Sequence, residues 1–419
     1  MLSSSYDSFL KHLLICFEQI PNTHVDYAYK KKSWESFLKY GLPTLQNEKY
    51  KFTNVEFFGK CFDDKSVLFT PISISEKTIK DILYDLHAYH LIVVNGILLE
   101  QYSRLPTNHL DIKLTGVSTF KNDYFNRLNT VYQDPFLLLN DALYESTVNI
   151  EIINGKQIDL PIFIYNIVTS PFVNPRINIS LGANSNVRIV NSFIDLSQNN
   201  KFCNSLIQIE IKLCAKLEYY TIQCQSNPNS SHINSTLCYQ ESKSEFINYI
   251  ITNSNSFIRN NLYTSMIGAY AKADMYGLYN VYNSGYVDNY VYINHIAENT
   301  SSNQSYKGII NDKSVGVFNG NIYVQPTAQK TNAFQSNKNI LLSDEATIHT
   351  KPNLEIRAND VKCSHGATVG QLDKEQLFYL CTKGLDENSA KQILLDSFVN
   401  EILQKIPIKL LGVISRTGF

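Results

Sequence analysis

In Leu206-Ile-Gln-Ile-Glu-Ile-Lys-Leu213 apolar and polar side chains alternate from Ile207 onward, and Leu217-Glu-Tyr-Tyr-Thr-Ile222 resumes soon after. A period of two puts one set of side chains on one face, the mark of a strand with a buried side. Upstream, Ile177-Asn-Ile-Ser-Leu181 reads the same way, and polar clusters at 182–186 and 226–231 supply corners between runs. Short runs of this kind continue from about Leu91 to Arg357, with almost no long helical pattern between them, which disfavours a doubly wound α/β sheet. A sandwich, a barrel and a parallel β-helix remain. The stretch is much longer than the roughly 100 residues of one sandwich, so a solenoid fits better. Further runs at Phe246-Ile-Asn-Tyr-Ile-Ile251, Phe257-Ile258 and Leu262-Tyr-Thr-Ser-Met266 recur at uneven spacing, and no repeat period can be counted. Asn95-Gly96, between apolar runs, is a hairpin-turn signal at the entrance to the β region.

The flanks have helical periodicity. Near the N-terminus Phe9, Leu13, Ile15, Cys16 and Ile20 share a stripe. Helical patterns follow at Ser33 to Tyr40 and Ile79 to His87, with Ser75 placed to cap the latter. After Gly370 helices return. Leu372 to Lys383 ends at Gly384, Asp386 can cap the next helix, and Ala390, Ile393, Leu394, Phe398 and Ile402 step by three and four until Pro407. The expected organisation is therefore mainly β: a helical region over 1–90, a β core over 91–357 and a C-terminal helical region over 358–419.

Hydrophobic residues make up 44% and charged residues 18% of the chain, a globular balance, and the formal charge is −1. No global field favours nucleic acid or an anionic membrane. The run Lys30-Lys31-Lys32 reads as a solvated helix face. The first twenty residues lack a basic start and are interrupted by Lys11, His12 and Glu18, so they do not read as a secretory signal. The apolar run from Leu91 to Leu99 is too short to span a bilayer. A cytoplasmic protein is expected, in which the sequons at Asn178 and Asn234 mean little. The eight cysteines, Cys16, Cys61, Cys203, Cys214, Cys224, Cys238, Cys363 and Cys381, are dispersed and form no C-x-x-C, which argues against a disulfide framework.

Phosphate-binding and hydrolase motifs are missing. Gly59-Lys60 is followed by Cys and Gly155-Lys156 by Gln, so there is no P-loop and no ATP site is expected. A β-helix polysaccharide enzyme would need clustered carboxylates, whereas Asp274 and Asp288 stand alone in the sequence. His87 and His90, at i and i+3 on an expected helix, have no further ligand at metal-site spacing and read as an ordinary helix surface. The dense constellation is Val361-Lys-Cys-Ser-His-Gly-Ala-Thr-Val-Gly370. On a strand, Cys363 and His365 would face one side about 6–7 Å apart at Cα. A thiolate beside an imidazole suits iron or zinc, but two donors do not complete a site. The other reading is a buried Cys and a hydrogen-bonding His at a corner.

Several segments run in the order seen in SufD-type members of the SufB/SufD family of SUF iron–sulfur cluster assembly scaffolds. They are Phe318-Asn-Gly-Asn-Ile-Tyr-Val324, Ala328-Gln-Lys-Thr-Asn-Ala333, Asn339-Ile-Leu-Leu-Ser343, Leu354-Glu-Ile356, the 360–370 element and Gln376-Leu-Phe-Tyr-Leu380. Tyr306-Lys-Gly-Ile-Ile310, Pro175-Arg176, Leu138-Leu-Asn-Asp-Ala142 and Gly41-Leu-Pro-Thr44, with Glu48, Lys51 and Thr53, extend the resemblance over nearly the whole chain. SufB proteins typically carry an E-H-E-A-type element where this chain has Ser364-His-Gly-Ala367. The chain departs from the pattern at Tyr50, where Trp is usual, and at Cys381-Thr-Lys-Gly384, where an Arg-containing segment is common. The resemblance implies a right-handed parallel β-helix with flanking helices and a non-catalytic scaffold role. It implies pairing with SufB along the β-helix and docking of the ATPase SufC on the C-terminal helices. It also implies that His365, with Cys363 beside it, lies where a transient iron or iron–sulfur cluster is held at the SufB interface.

Overall fold

The computed structural model describes residues 4–24, 26–53, 74–84, 86–104, 112–115, 134–196 and 200–415. Cys61, His109 and the Gly59-Lys60 pair lie outside them.

The alternating runs become strands of two sheets. Across the first sheet run β1 (Tyr89–Val94), β5 (Ile162–Val168), β8 (Asn186–Asp195), β10 (Lys216–Gln225), β12 (Glu245–Ser254), β14 (Lys272–Val281), β16 (Ser301–Ile310), β18 (Thr331–Leu341) and β20 (Val361–Gly370). Beside β1 lies β2 (Ile97–Leu98). The second sheet runs β3 (Ile112–Thr115), β4 (Val148–Ile152), β7 (Arg176–Leu181), β9 (Lys201–Ile211), β11 (Ser230–Gln240), β13 (Phe257–Met266), β15 (Tyr286–His295), β17 (Val315–Val324) and β19 (Thr347–Ile356). The short β6 (Phe172–Val173) also pairs with β9. Among the described strands, the pairs β1–β2 and β3–β4 are antiparallel and the rest are parallel. The chain alternates between sheets in a parallel solenoid of about eight turns. Asn95 and Gly96 both adopt positive φ between β1 and β2, as the hairpin signal requires.

Lys216 pairs with Glu245, Glu245 with Lys272, and Lys272 with Ser301, steps of 29, 27 and 29 residues. The uneven coil length explains why no period is countable in the sequence. The interior between the sheets is filled by Ile177, Ile207, Ile209, Leu217, Phe246, Val291 and their neighbours. Near its C-terminal end the interior holds Tyr279, Tyr306 and Phe318. A Cβ at Gly277 would come within 2.0 Å of the Tyr306 ring, and one at Gly308 within 2.4 Å of Tyr279. The rings therefore fit only because glycine faces them.

Helices cover both outer faces. Residues of α1 (Ser4–Glu18), α2 (Tyr27–Tyr40) and α4 (Pro135–Leu143) pack with Phe202, Ile233 and Phe257 of the second sheet. On the first sheet, Ile79 of α3 (Glu76–Ile82) joins Ile402 of α6 (Glu387–Leu403) and Leu410, Val413 and Ile414 of α7 (Ile408–Ser415) over Tyr220, Tyr249 and Tyr276. The Ser75 oxygen accepts from the Thr78 N–H, and Asp386 accepts from that of Ser389.

Five expectations are corrected. First, β20 continues the ladder, so the solenoid reaches Gly370 and Cys363 and His365 belong to its last strand. Second, α4 interrupts the β region. All but its first residue are buried, so its run Phe136-Leu-Leu-Leu139 has no polar stripe to betray a helix. Third, His90 is a buried strand residue of β1, while α3 ends at Ile82, so the His87–His90 pair does not share a helix. Fourth, Lys30 is buried, donating to the Tyr144 carbonyl with its ammonium 3.4 Å from that ring's centre. Lys31 and Lys32 are exposed as expected. Fifth, Ile15 and Ile393 point to solvent beside their buried stripes.

Residues 48–53 strap the outside of the second sheet through one buried ion pair. Arg259 of β13 is 0% exposed and pairs with Asp288 of β15. It also donates to the Lys49 carbonyl at 2.8 Å and the Thr53 hydroxyl at 2.7 Å, with its guanidinium 3.9 Å from the Tyr50 ring centre. Tyr286 donates to the Phe52 carbonyl, and Lys351 of β19 pairs with Glu48. Removing Arg259 leaves a buried carboxylate unpaired, at a cost of about 3–5 kcal/mol. Arg259→Met is expected to lower the thermal midpoint sharply and expose residues 48–53 to protease. Asp288→Leu added to it restores most of the midpoint. An unchanged midpoint in the single variant would show that the strap does not depend on this pair.

Candidate functional site

The site stands on β20, the last strand of the first sheet. In register, Ala333 of β18 faces Cys363 and Gln335 faces His365. Both of these β18 side chains point into the solenoid. Ala333 lies among Ile322, Val324 and Ala328, and a Cβ at Gly320 across the interior would meet Gln335 at 2.2 Å. Cys363 and His365 therefore continue two inward columns onto a coil that no further coil covers. Cys363 is half-buried against that apolar cluster, while His365 is exposed. Burial pushes the Cys363 thiol up, only partly offset by the hydrogen bond from Ala333 backbone. A raised thiol pKa favours the protonated form, which is a poorer metal donor than the thiolate.

The two residues do face one side of a strand, as their spacing predicts. No third His, Cys, Asp or Glu joins them, since no cluster of three or more such side chains suited to a metal occurs among the described residues. The surroundings are open: a Cβ on Gly366 or Gly370 would meet nothing within 4 Å. Among the described residues no strand pairs with the outer edge of β20, nor with the outer edge of β19 in the second sheet. Phe334, Ile356 and Val369 add exposed apolar surface to this end. Behind β20 the support is rigid. Tyr279 donates to Asn339 at 2.5 Å, and Asn339 donates to Asn337 at 2.6 Å, all three buried.

A second surface adjoins the first. Helix α5 (Lys374–Thr382) buries none of its residues, and Phe378 and Tyr379 are 71% and 59% exposed. Helix α6 is tied to the solenoid through Glu401, which pairs with Lys307 at 2.5 Å and Lys338 at 3.3 Å. Lys307 also donates to the Phe398 carbonyl at 2.6 Å. Residues on β16 and β18, the strands leading to β20, thus hold the helix. Periodicity alone does not reveal Lys307 or Glu401, because their partners are distant in sequence.

Other titratable groups serve the interior. His232 and His295 are buried in the solenoid with pKa values pushed down to about 3 by desolvation. His232 meets the Ser205 hydroxyl at 3.0 Å, and His295 meets those of Thr300 and Ser302 at 2.8 and 2.9 Å. No disulfide joins the described cysteines. Among the described residues no helix is long and apolar enough to cross a membrane.

Comparison with known proteins places the sequence in a family. The family described as SUF system FeS cluster assembly, SufBD core domain, matches residues 164–398, which include the β20 element. The chain is 27% identical over 380 residues to the iron–sulfur cluster assembly protein SufD of Escherichia coli, covering 89% of this chain and 87% of that one. It is similarly 27% identical to the chloroplastic protein ABCI7 of Arabidopsis thaliana, covering 90% and 82%. It is 28% identical to a SufBD family iron–sulfur cluster assembly protein of Synechocystis, covering 88% and 84%.

The raised Cys363 thiol sets a measurable reactivity. At pH 8, alkylation of Cys363 by iodoacetamide, followed by peptide mass spectrometry, is expected to run slower than that of a small-molecule thiol and to go on accelerating at pH values where the small-molecule thiol has levelled off. A fast, pH-independent reaction below pH 8 would mean a stable thiolate and contradict the geometry.

Proposed function

As a member of the SUF-system FeS cluster assembly family with the SufBD core domain, this chain acts in iron–sulfur cluster assembly, and we propose that it is a non-catalytic scaffold subunit whose open solenoid end pairs with a SufB-type chain. The observation that carries this reading is the pair of unpaired edges at β19 and β20, with Cys363 and His365 on one of them. Free N–H and C=O groups along a ten-residue edge are a template for another strand. In this reading iron, or a nascent cluster, is cargo. His365 supplies a nitrogen donor and Cys363, once deprotonated, a sulfur donor. Iron–sulfur sites take about four protein donors, so the remainder come from the partner.

A SufC-type ATPase docks on α5 and the exposed part of α6, where Phe378, Tyr379 and Ile393 offer an apolar contact. The chain has no P-loop of its own, so ATP chemistry belongs to that partner. Movement of α6 reaches the solenoid through Glu401, Lys307 and Lys338. The complex works in the cytoplasm.

Co-expression of the tagged chain with SufB-type and SufC-type partners, followed by native mass spectrometry, tests the reading. The three chains are expected to co-purify, and His365→Ala is expected to keep the complex while cutting reconstituted cluster formation at least tenfold. Normal cluster formation by His365→Ala would leave this chain a purely structural stabiliser of its partner. A monomer that ignores both partners would remove the scaffold reading altogether.

A further inference from the structure

The inward column that ends at His365 contains an oxygen with nothing to accept. Register stacks Met275, Gln304, Gln335 and His365 on successive strands. Gln335 is 4% exposed, and its Nε2 donates to Gln304 Oε1 at 2.7 Å. The amide orientations follow from the Asn321 carbonyl of β17: Gln304 Nε2 makes a long contact with it at 3.5 Å, and a carbonyl only accepts. Gln304 therefore turns its oxygen toward Gln335, and Gln335 must answer with its nitrogen. The planar amide then turns Gln335 Oε1 away from Gln304, and the neighbouring strand on the other side of β18 is β20, which carries His365. That oxygen is buried and accepts no hydrogen bond among the described residues. A buried acceptor left unmet is costly. Paired strands lie about 4.8 Å apart, which puts the imidazole within reach.

We propose that Gln335 is the positioning residue for His365. Its Oε1 accepts the N–H of one ring nitrogen, fixing the tautomer and turning the other nitrogen's lone pair out of the solenoid toward the metal. This rests on the reading of His365 as an iron ligand. Ligating imidazoles commonly donate their second nitrogen to such a partner, which selects the tautomer and raises the basicity of the ligating atom. The Gln304–Gln335 ladder would thus tie the exposed ligand to the buried interior, the preorganisation that an exposed histidine on an edge strand otherwise lacks.

The test uses the full chain labelled with ¹⁵N-histidine, with His365→Ala identifying the His365 resonances, and Fe(II) affinity of the co-purified complex measured against a chelator. Wild type is expected to show a single His365 tautomer. Gln335→Met should return the ring to the mixture seen in free imidazole and weaken iron binding roughly 10–100-fold. Gln335→Glu, whose protonated oxygen can donate to Gln304 while the other accepts, should retain both properties, and it decides the question if the Met variant does not fold. Unchanged tautomer and affinity in Gln335→Met, or a tautomer mixture in Gln335→Glu, would overturn the proposal. If His365→Ala leaves iron affinity unchanged, the ligand reading fails instead, and the tautomer measurement still decides whether Gln335 holds the ring.

Discussion

A parallel solenoid satisfies the backbone hydrogen bonds of each coil with the coil that follows, and here the ladder runs on this rule until β19 and β20. At the other end it is closed differently, by antiparallel β2 and β3. Nothing similar caps the C-terminal end among the described residues. The last coil therefore keeps unpaired backbone groups, inward columns without a lid, and side chains that are interior by register but only half-buried or exposed in fact. Cys363 and His365 are such side chains. Their chemistry follows from being one coil short of burial.

That position makes the packing beneath them consequential. In the middle of the solenoid, aliphatic columns such as those of Ile177, Ile207 and Ile209 share the interior with polar side chains, as where Asn191 donates to Tyr219 and His232 meets Ser205. Toward the C-terminal end the columns change to tyrosine, asparagine, glutamine and glycine. Tyr279 and Tyr306 pack where Gly308 and Gly277 leave room, and their neighbours Asn337 and Asn339 bond sideways within β18. Such packing has fewer alternatives than aliphatic packing, and it fixes β18 as a platform for β20. On the outside, the Arg259–Asp288 strap and the Glu401–Lys307–Lys338 cluster hold the two flanking regions to the same coils.

The architecture was legible in the sequence where chemistry repeats and obscure where geometry does. Alternation in Leu206–Leu213 announces a strand because the interior is apolar there. The coil period stays hidden because the turns leading from the second sheet back to the first, from β7–β8 to β17–β18, each use one left-handed residue, and Asn184, Cys214, Lys243, Tyr270, Asn299 and Lys330 fill that role in turn without a shared side chain. Helix α4 was hidden because burial on all sides erases amphipathic period, and Lys30 because a cation over a tyrosine ring looks, in sequence, like any surface lysine. At the candidate site, the shared strand face of Cys363 and His365 was legible from spacing alone. Their place on the terminal strand was not: the boundary expected at 357 and 358 separates them from the solenoid that positions them. Gln335 was invisible, since its significance lies in a register pairing between strands about thirty residues apart.

In the proposed reading, the edge of β20 is an unfinished ladder that another chain completes. Hydrogen–deuterium exchange of the β20 amides, measured in the isolated chain and in its co-purified complex, addresses it directly. Amides of 361–370 that face the open edge should exchange rapidly in the isolated chain and become strongly protected in the complex, while those bonded to β18 stay protected in both. Equal exchange of the edge amides in the two samples would contradict the account and move the partner's contact elsewhere on the molecule.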